Sequence, residues 1–360
     1  MENKSSRKSA AVETLDEGES PFGHQFGNKM LIMSYDSSKG WSSPHIKPYA
    51  PITISPSAQC LHYGQTVFED MKAYIIKHSI HIFKPQEHLE KFNLSLKRIE
   101  MPEVEVESVL LGLNQLLNQE QQLFEENHNH SIYIRTFMYA SESKLGVSKS
   151  DTYEFIAFLS PLTSNTKCHI PEPIKVYVED NYVKSVPGGA GYTQYGGNYA
   201  STYAATSMAT QLGYDQVLWL DGINRSYIED IGNMNVFFVI NQQIITPELN
   251  GSIVPGVTRQ SIIELARELG YQIEERKIGI EEISERYKEG SLTEIFCTDT
   301  LHSLTPVSEI KYKSDTLSIN NHKTGPITQH LFKTYSFIQN KTLPDIRNWN
   351  YSIQREPTTI

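Results

Sequence analysis

The stretch from Gly188 to Ala200, GGAGYTQYGGNYA, holds five glycines within ten residues. Glycine reaches positive φ without penalty and lets the backbone come close to a neighbour or a ligand. Such a turn feeding a helix can bracket a phosphate, because free N–H groups and the dipole at a helix start favour negative charge. The pattern stops short of a nucleotide signature: no Walker lysine is present, and no GxGxxG follows a strand. A tight turn without ligand accounts for these glycines equally well. A second helix start is signalled at Pro255-Gly256-Val257-Thr258. Arg135 stands in an alternating apolar segment, where a core has no use for a charge, and so points to a ligand. His128 and His130 are metal-ligand types, but no cysteine or carboxylate lies at a useful spacing and a solvated loop explains them better. No metal is expected.

Two runs of structure must position these groups. Residues 1–27 are rich in Ser, Glu and Lys and read as a mobile tail. Period-two patterning predicts strands at Met30–Tyr35, Pro51–Ser55, Met71–Ile76 and Ile80–Phe83, the last two joined by a turn at His78–Ser79. Apolar residues three and four apart predict helices over Pro85–Ile99 and Val104–Asn118. Strands at Ser131–Tyr139 and Thr152–Leu159 complete a small α+β domain, residues 28–160, and residues 161–173, with three prolines, read as a linker. A large domain, residues 174–353, opens with a strand at Ile174–Val178, followed by the glycine turn and a helix over Ser201–Leu212. Further strands are predicted at Val217–Leu220, Asn235–Ile240, Gln243–Thr246 and Thr293–Cys297, with helices over Pro255–Gly270 and Gly325–Ile338. Residues 354–360 form a tail.

Composition narrows the function. The chain has 360 residues and a formal charge of −10, with no basic stripe, which argues against a nucleic-acid partner. Three widely spaced cysteines, Cys60, Cys168 and Cys297, predict no disulfide framework and a reducing compartment. The charged start is not followed by an apolar core, and Val236–Ile240 is too short to span a bilayer, so a cytoplasmic protein without a membrane partner is expected.

The segments Tyr63–Glu69, Tyr133–Arg135, Gly188–Ala200, Leu212–Gly222, Gly232–Ile240 and Leu249–Arg259 together resemble the branched-chain amino acid aminotransferases, over roughly Met30 to Ile353. The resemblance implies a two-domain α+β/α/β chain of the pyridoxal-phosphate fold type IV, the cofactor between the domains, and a homodimer. It implies phosphate contacts from Lys91, Gly256, Val257, Thr258 and Thr300. Tyr199 would contact the phenolic oxygen and Asp230 the pyridine nitrogen, with a substrate pocket of Tyr63, Phe68, Asp70, Tyr133 and Arg135.

The family also has a lysine that holds the cofactor as a Schiff base and shuttles the α-proton. Here that position is Gln194, and a carboxamide forms no imine. Other cofactor contacts differ too: Lys91 replaces an arginine, Asp230 a glutamate, Asp299 and Leu301 a glycine and an alanine beside Thr300, and Asp70 a glycine. An engineered lysine replacement would leave the remaining pocket intact. The expectation is therefore an aminotransferase-like protein that has lost lysine-based transamination, with Gln194, Asp70, Asp230 and Asp299 turned to other chemistry on an amino or keto acid. Pyridoxal phosphate would bind weakly if at all, and not as an internal aldimine at residue 194. The alternatives are a silent amino- or keto-acid binding protein, and a working transaminase with a non-covalent cofactor or another lysine. Lys184 is the nearest such lysine in sequence, though a surface lysine at a strand end describes it better.

Overall fold

The computed structural model describes residues 22–76, 79–121, 123, 131–162 and 169–353. Residues 1–21 and 354–360 of the expected tails, the His78 turn position, the His128–His130 pair and residues 163–168 of the linker lie outside these residues. Residues 22–27, read as tail, instead pack on the first sheet, Gly27 N–H donating to Leu159 O at 2.9 Å and Phe22 lying against Tyr133. The first half of the chain contains β1 (Lys29–Asp36), β2 (Gly40–Trp41), β3 (His45–Pro48), α1 (Gln59–Tyr63), β4 (Thr66–Ile76) and β5 (Ser79–Phe83). These are followed by α2 (Pro85–Arg98), α3 (Val106–Gln119), β6 (Ser131–Ala140) and β7 (Thr152–Pro161). Its strands form an antiparallel sheet with β4 and β6 at the centre. The predicted strand at Pro51–Ser55 is absent; β3 pairs with β1 instead. Pro51 has no N–H to donate and Pro56 closes the segment, which leaves little of it able to join a ladder.

Alternation along β4 divides the labour of the site. Val67, Met71 and Ala73 pack under Leu89, Phe92 and Leu96 of α2 and Leu113, Leu116 and Leu117 of α3. By the two-residue period, Phe68, Asp70 and Lys72 face the other way. Tyr74, on that same side, belongs to a core shared with Phe237, Ile262, Leu331 and Trp349 of the second half. That shared core holds the two sheets together.

The second half begins with β8 (Ile174–Glu179), then α4 (Gly196–Ala200), α5 (Tyr203–Gln211), β9 (Gln216–Leu220), β10 (Ile228–Ile231), β11 (Met234–Ile240) and β12 (Gln243–Thr246). It continues with α6 (Val257–Glu268), β13 (Ile273–Glu275), α7 (Ile280–Lys288), β14 (Leu292–Asp299), β15 (Ser303–Tyr312), β16 (Asp315–Ser318), α8 (Pro326–Gln339) and β17 (Asn350–Ile353). Because β10 bonds to both β9 and β11, the strands β10, β9, β8, β15, β14 and β11 close into a ring. Its buried side chains include Val176, Leu218, Val236, Phe238, Ile295 and Cys297. The glycine pair Gly196-Gly197 forms the start of the short helix α4, ahead of the predicted helix over Ser201–Leu212, which is found as α5. The last strand, β17, returns to pair with β5 on the first sheet, so residues 350–353 sit with the small domain's strands.

Candidate active site between the two sheets

Residue 194 is held by the first half of the chain. Its carbonyl accepts from Phe68 N–H at 3.0 Å, and its N–H donates to Ser95 Oγ on α2 at 3.1 Å. Tyr195 bridges Val67, so the glycine turn is stitched along β4. The turn needs its glycines where chains cross: a Cβ on Gly191 would lie 2.2 Å from Ser185 Cβ and 2.5 Å from Ser252 O. The Gln194 side chain lies within hydrogen-bonding reach of the Tyr199 hydroxyl, while its Oε1 is buried without a partner among the described residues. Burial pushes the Tyr199 hydroxyl above its usual range. The Tyr199 ring packs on Phe68 at 4.8 Å, and the Arg135 guanidinium lies over the Phe68 ring at 4.6 Å. Gln194, Tyr199, Phe68 and Arg135 therefore form one contiguous wall.

The three aspartates do not converge around Arg135. Of the three, Asp70 meets it, across the β4–β6 ladder: Arg135 Nε donates to Oδ1 in a very short bond and Nη2 to Oδ2 at 3.3 Å. Burial lifts the Asp70 carboxyl to about 6, Arg135 and Tyr133 pulling it back and Glu69 adding to the rise. Asp230 instead accepts from Lys184 Nζ at 2.9 Å and Asn235 Nδ2 at 3.3 Å. Glu229 turns to Ser252 and Asn250. Asp299 accepts from the His302 backbone at 2.6 Å and lies 3.1 Å from His302 Nδ1. Burial would raise the Asp299 carboxyl, but the bonds and charge of His302, with the charge of Lys72, bring it below the usual value. Each of the three aspartates thus has its own basic partner, and no group of three His, Cys, Asp or Glu fit for a metal occurs among the described residues.

Lys184 overturns its expected setting. It lies beyond the end of β8, its side chain is 6% exposed, and it donates to the Gly232 carbonyl at 3.1 Å as well as to Asp230. Lys91 likewise turns inward: it and His88 share Glu69 Oε1, at 3.0 and 2.7 Å. The sequence reading passed over Glu69 and His88. The signal available was His88 and Lys91 one turn apart on an amphipathic helix. Tyr63 does not join the wall within this chain; its hydroxyl accepts from Gly146 N–H at 3.0 Å and it lines a separate cleft with Tyr195 and Val147.

At the other end, α6 starts from Gly256 with no side chain capping it. A Cβ on Gly256 would sit 2.3 Å from Asn235 Oδ1, so the backbone must be bare there. Thr258 Oγ1 donates to the Asp299 carbonyl at 3.0 Å, and Thr300 directly follows Asp299. These residues fit pyridoxal phosphate unevenly. The uncapped α6 start suits a phosphate and Tyr199 suits a phenolic oxygen. Residue 194 does not fit the covalent link: its amide nitrogen has no free lone pair, and its orphaned Oε1 is an acceptor waiting for a donor.

Residues 66–310 match the family model described as amino-transferase class IV, and the chain belongs to that family. Within it, the chain is 47% identical over 334 residues to a probable branched-chain-amino-acid aminotransferase of Staphylococcus aureus (strain N315), covering 93% of each. It is 42% identical over 339 residues to branched-chain-amino-acid aminotransferase 2 of Bacillus subtilis (strain 168), covering 94% of this chain and 93% of that one. The chain is thus one of the branched-chain aminotransferase relatives. The fold is theirs as well. A T.th. branched-chain amino acid aminotransferase with pyridoxamine 5'-phosphate superposes with a TM-score of 0.75 at 23% identity, over 92% of this chain and 99% of that one. The Escherichia coli branched-chain aminotransferase gives 0.74 at 21%, over 92% and 100%. The architecture is fold type IV. No helix among the described residues is long and apolar enough to cross a membrane.

Proposed function

We propose that this chain is a branched-chain-aminotransferase-like protein that takes a branched-chain amino acid or its 2-oxo acid between the two sheets without lysine-based transamination at residue 194. The observation that carries the reading is the carboxamide at that position, buried beside Tyr199 with its oxygen unpartnered among the described residues. Pyridoxal phosphate would be held without a covalent link, by the α6 start with Thr300 and by Tyr199. When bound, such a group supplies an electron sink for charge at the α-carbon. The chain's own residues bind and orient: Gln194 Oε1 accepts from a ligand N–H, Phe68 and Tyr199 give the apolar wall, and Asp230 is held by Lys184. A general base for the α-proton, a role worth about 10²–10⁴-fold, is missing at position 194.

A second reading is favoured by a specific observation, the 47% identity over 93% of the chain to a protein named as a branched-chain-amino-acid aminotransferase. In that reading the chain is an active transaminase whose amine comes from elsewhere. Assay of leucine with the monocarboxylate acceptor 3-methyl-2-oxobutanoate and pyridoxal phosphate separates the two. Turnover at the level of a lysine-bearing relative supports the second, and ligand binding with turnover at least about 100-fold lower supports the first. A homodimer belongs to either reading, in keeping with the exposure of Leu61, Tyr63, Leu145 and Val147, and light scattering checks it.

A further inference from the structure

The pairing of Asp70 with Arg135 reaches further than the loss of the lysine. Arg135 is the cation on the wall formed by Phe68, Tyr199 and Gln194, and its side chain is still 37% exposed. A guanidinium recognises a ligand carboxylate by offering two parallel N–H donors. Here Nε and Nη2 both point at Asp70, whose side chain is 10% exposed and which sits directly opposite on the neighbouring strand. The arginine therefore carries an internal carboxylate in the geometry that an external one would adopt.

We propose that Asp70 sets the ligand class of this site: as a built-in counter-ion for Arg135 it rejects ligands with a second carboxylate and favours monocarboxylates with neutral or cationic side chains. The inference rests on the proposed amino- or 2-oxo-acid site and deepens it. Two physical terms act together. A dicarboxylate must displace Asp70 from Arg135, which leaves a buried carboxylate without its cation. If it does not displace it, two carboxylates must share one guanidinium, and like charges at close range in a poorly screened pocket repel. A ligand with an aliphatic or ammonium side chain meets neither penalty, since it leaves the pair in place and packs against Phe68. The Tyr133 hydroxyl helps hold Asp70 in position, so the counter-ion is fixed rather than free to swing away.

The test is equilibrium binding to the full chain by calorimetry, with 4-methyl-2-oxopentanoate as the monocarboxylate probe and 2-oxoglutarate as the dicarboxylate probe. Wild type should bind the first at least about tenfold more tightly, a difference of about 1.4 kcal/mol. Asp70→Gly should tighten 2-oxoglutarate at least about tenfold while moving the monocarboxylate by less than about threefold. Asp70→Asn, closer in shape, should move selectivity the same way and guards against misfolding of the glycine variant. Adding Arg135→Gln should cancel the gain. Selectivity that stays the same in both Asp70 variants, with both probes still binding, would overturn the assignment and leave the proposed site standing. Failure of every protein to bind either probe would overturn both.

Discussion

Replacing Lys184 with methionine removes the ammonium from a buried pair whose side chains are 6% and 3% exposed and whose charges lie 2.9 Å apart. At an effective dielectric of about 20 their attraction is about 6 kcal/mol, but taking both ions out of water costs several kcal/mol each, so the intact pair is close to neutral for stability. Removing one member is different. Asp230 would be left with the Asn235 amide at 3.3 Å, and an uncompensated buried carboxylate costs about 3–5 kcal/mol. For a domain of this size that lowers the melting temperature by about 2–4 °C per kcal/mol, or about 6–20 °C in total. The double variant Lys184→Met with Asp230→Leu, which removes both charges, should recover most of the loss. Thermal melts followed by circular dichroism read both quantities. The single variant also tests function: if Lys184 is a counter-ion and not an amine for the cofactor, folded Lys184→Met leaves the absorption spectrum of added pyridoxal phosphate unchanged. A melting temperature within about 2 °C of wild type would refute the stabilising pairing of Lys184 with Asp230, and loss of a chromophore seen in wild type would make Lys184 the relocated amine.

Binding of 2-oxoglutarate to wild type should strengthen as pH falls through about 6, because the Asp70 carboxyl is lifted there by burial against the pull of Arg135 and Tyr133, with Glu69 adding to the rise. Protonated Asp70 no longer competes for the guanidinium; titrations between pH 5 and 8 check the slope, which should vanish in Asp70→Asn. The same lifted carboxyl contributes stability that is full below the unfolded value of 3.8 and lost as pH rises through about 6. Asp299→Gly removes a charge beside the α6 start and should tighten pyridoxal phosphate about tenfold or more, read by absorbance titration, while loss of the bond to the His302 N–H costs about 1 kcal/mol of stability. Gln194→Lys should restore transamination of leucine by at least about 100-fold if the remaining wall still seats cofactor and substrate.

Much of the site could be read from the sequence, chiefly through its resemblance to a known family. The mismatch at Gln194 emerged once the resemblance to the branched-chain aminotransferases located the lysine position, and the bare Gly256 follows from a Pro-Gly-Val-Thr helix start. What was not legible is who partners whom. Asp70, Asp230 and Asp299 read as three acids for one cavity, yet β-sheet register set Asp70 opposite Arg135, and a bend after β8 delivered Lys184 to Asp230. Neither the register nor the path of that bend is encoded in local spacing. The strand β10 carries no apolar pattern of its own: two carboxylates lie within Ile228–Ile231, and long-range pairing with β9 and β11 keeps both buried. The strand expected at Pro51–Ser55 erred the other way, apolar alternation having outvoted the flanking prolines.

The central claim, that no lysine of this chain takes the place of the missing one, is tested most directly by reduction. Purified protein is saturated with pyridoxal phosphate, treated with borohydride, digested and mapped by mass spectrometry. The account predicts no stoichiometric pyridoxyl modification at Lys72, Lys84, Lys91 or Lys184, and cofactor that dialyses away. One of those lysines modified in every molecule would contradict it.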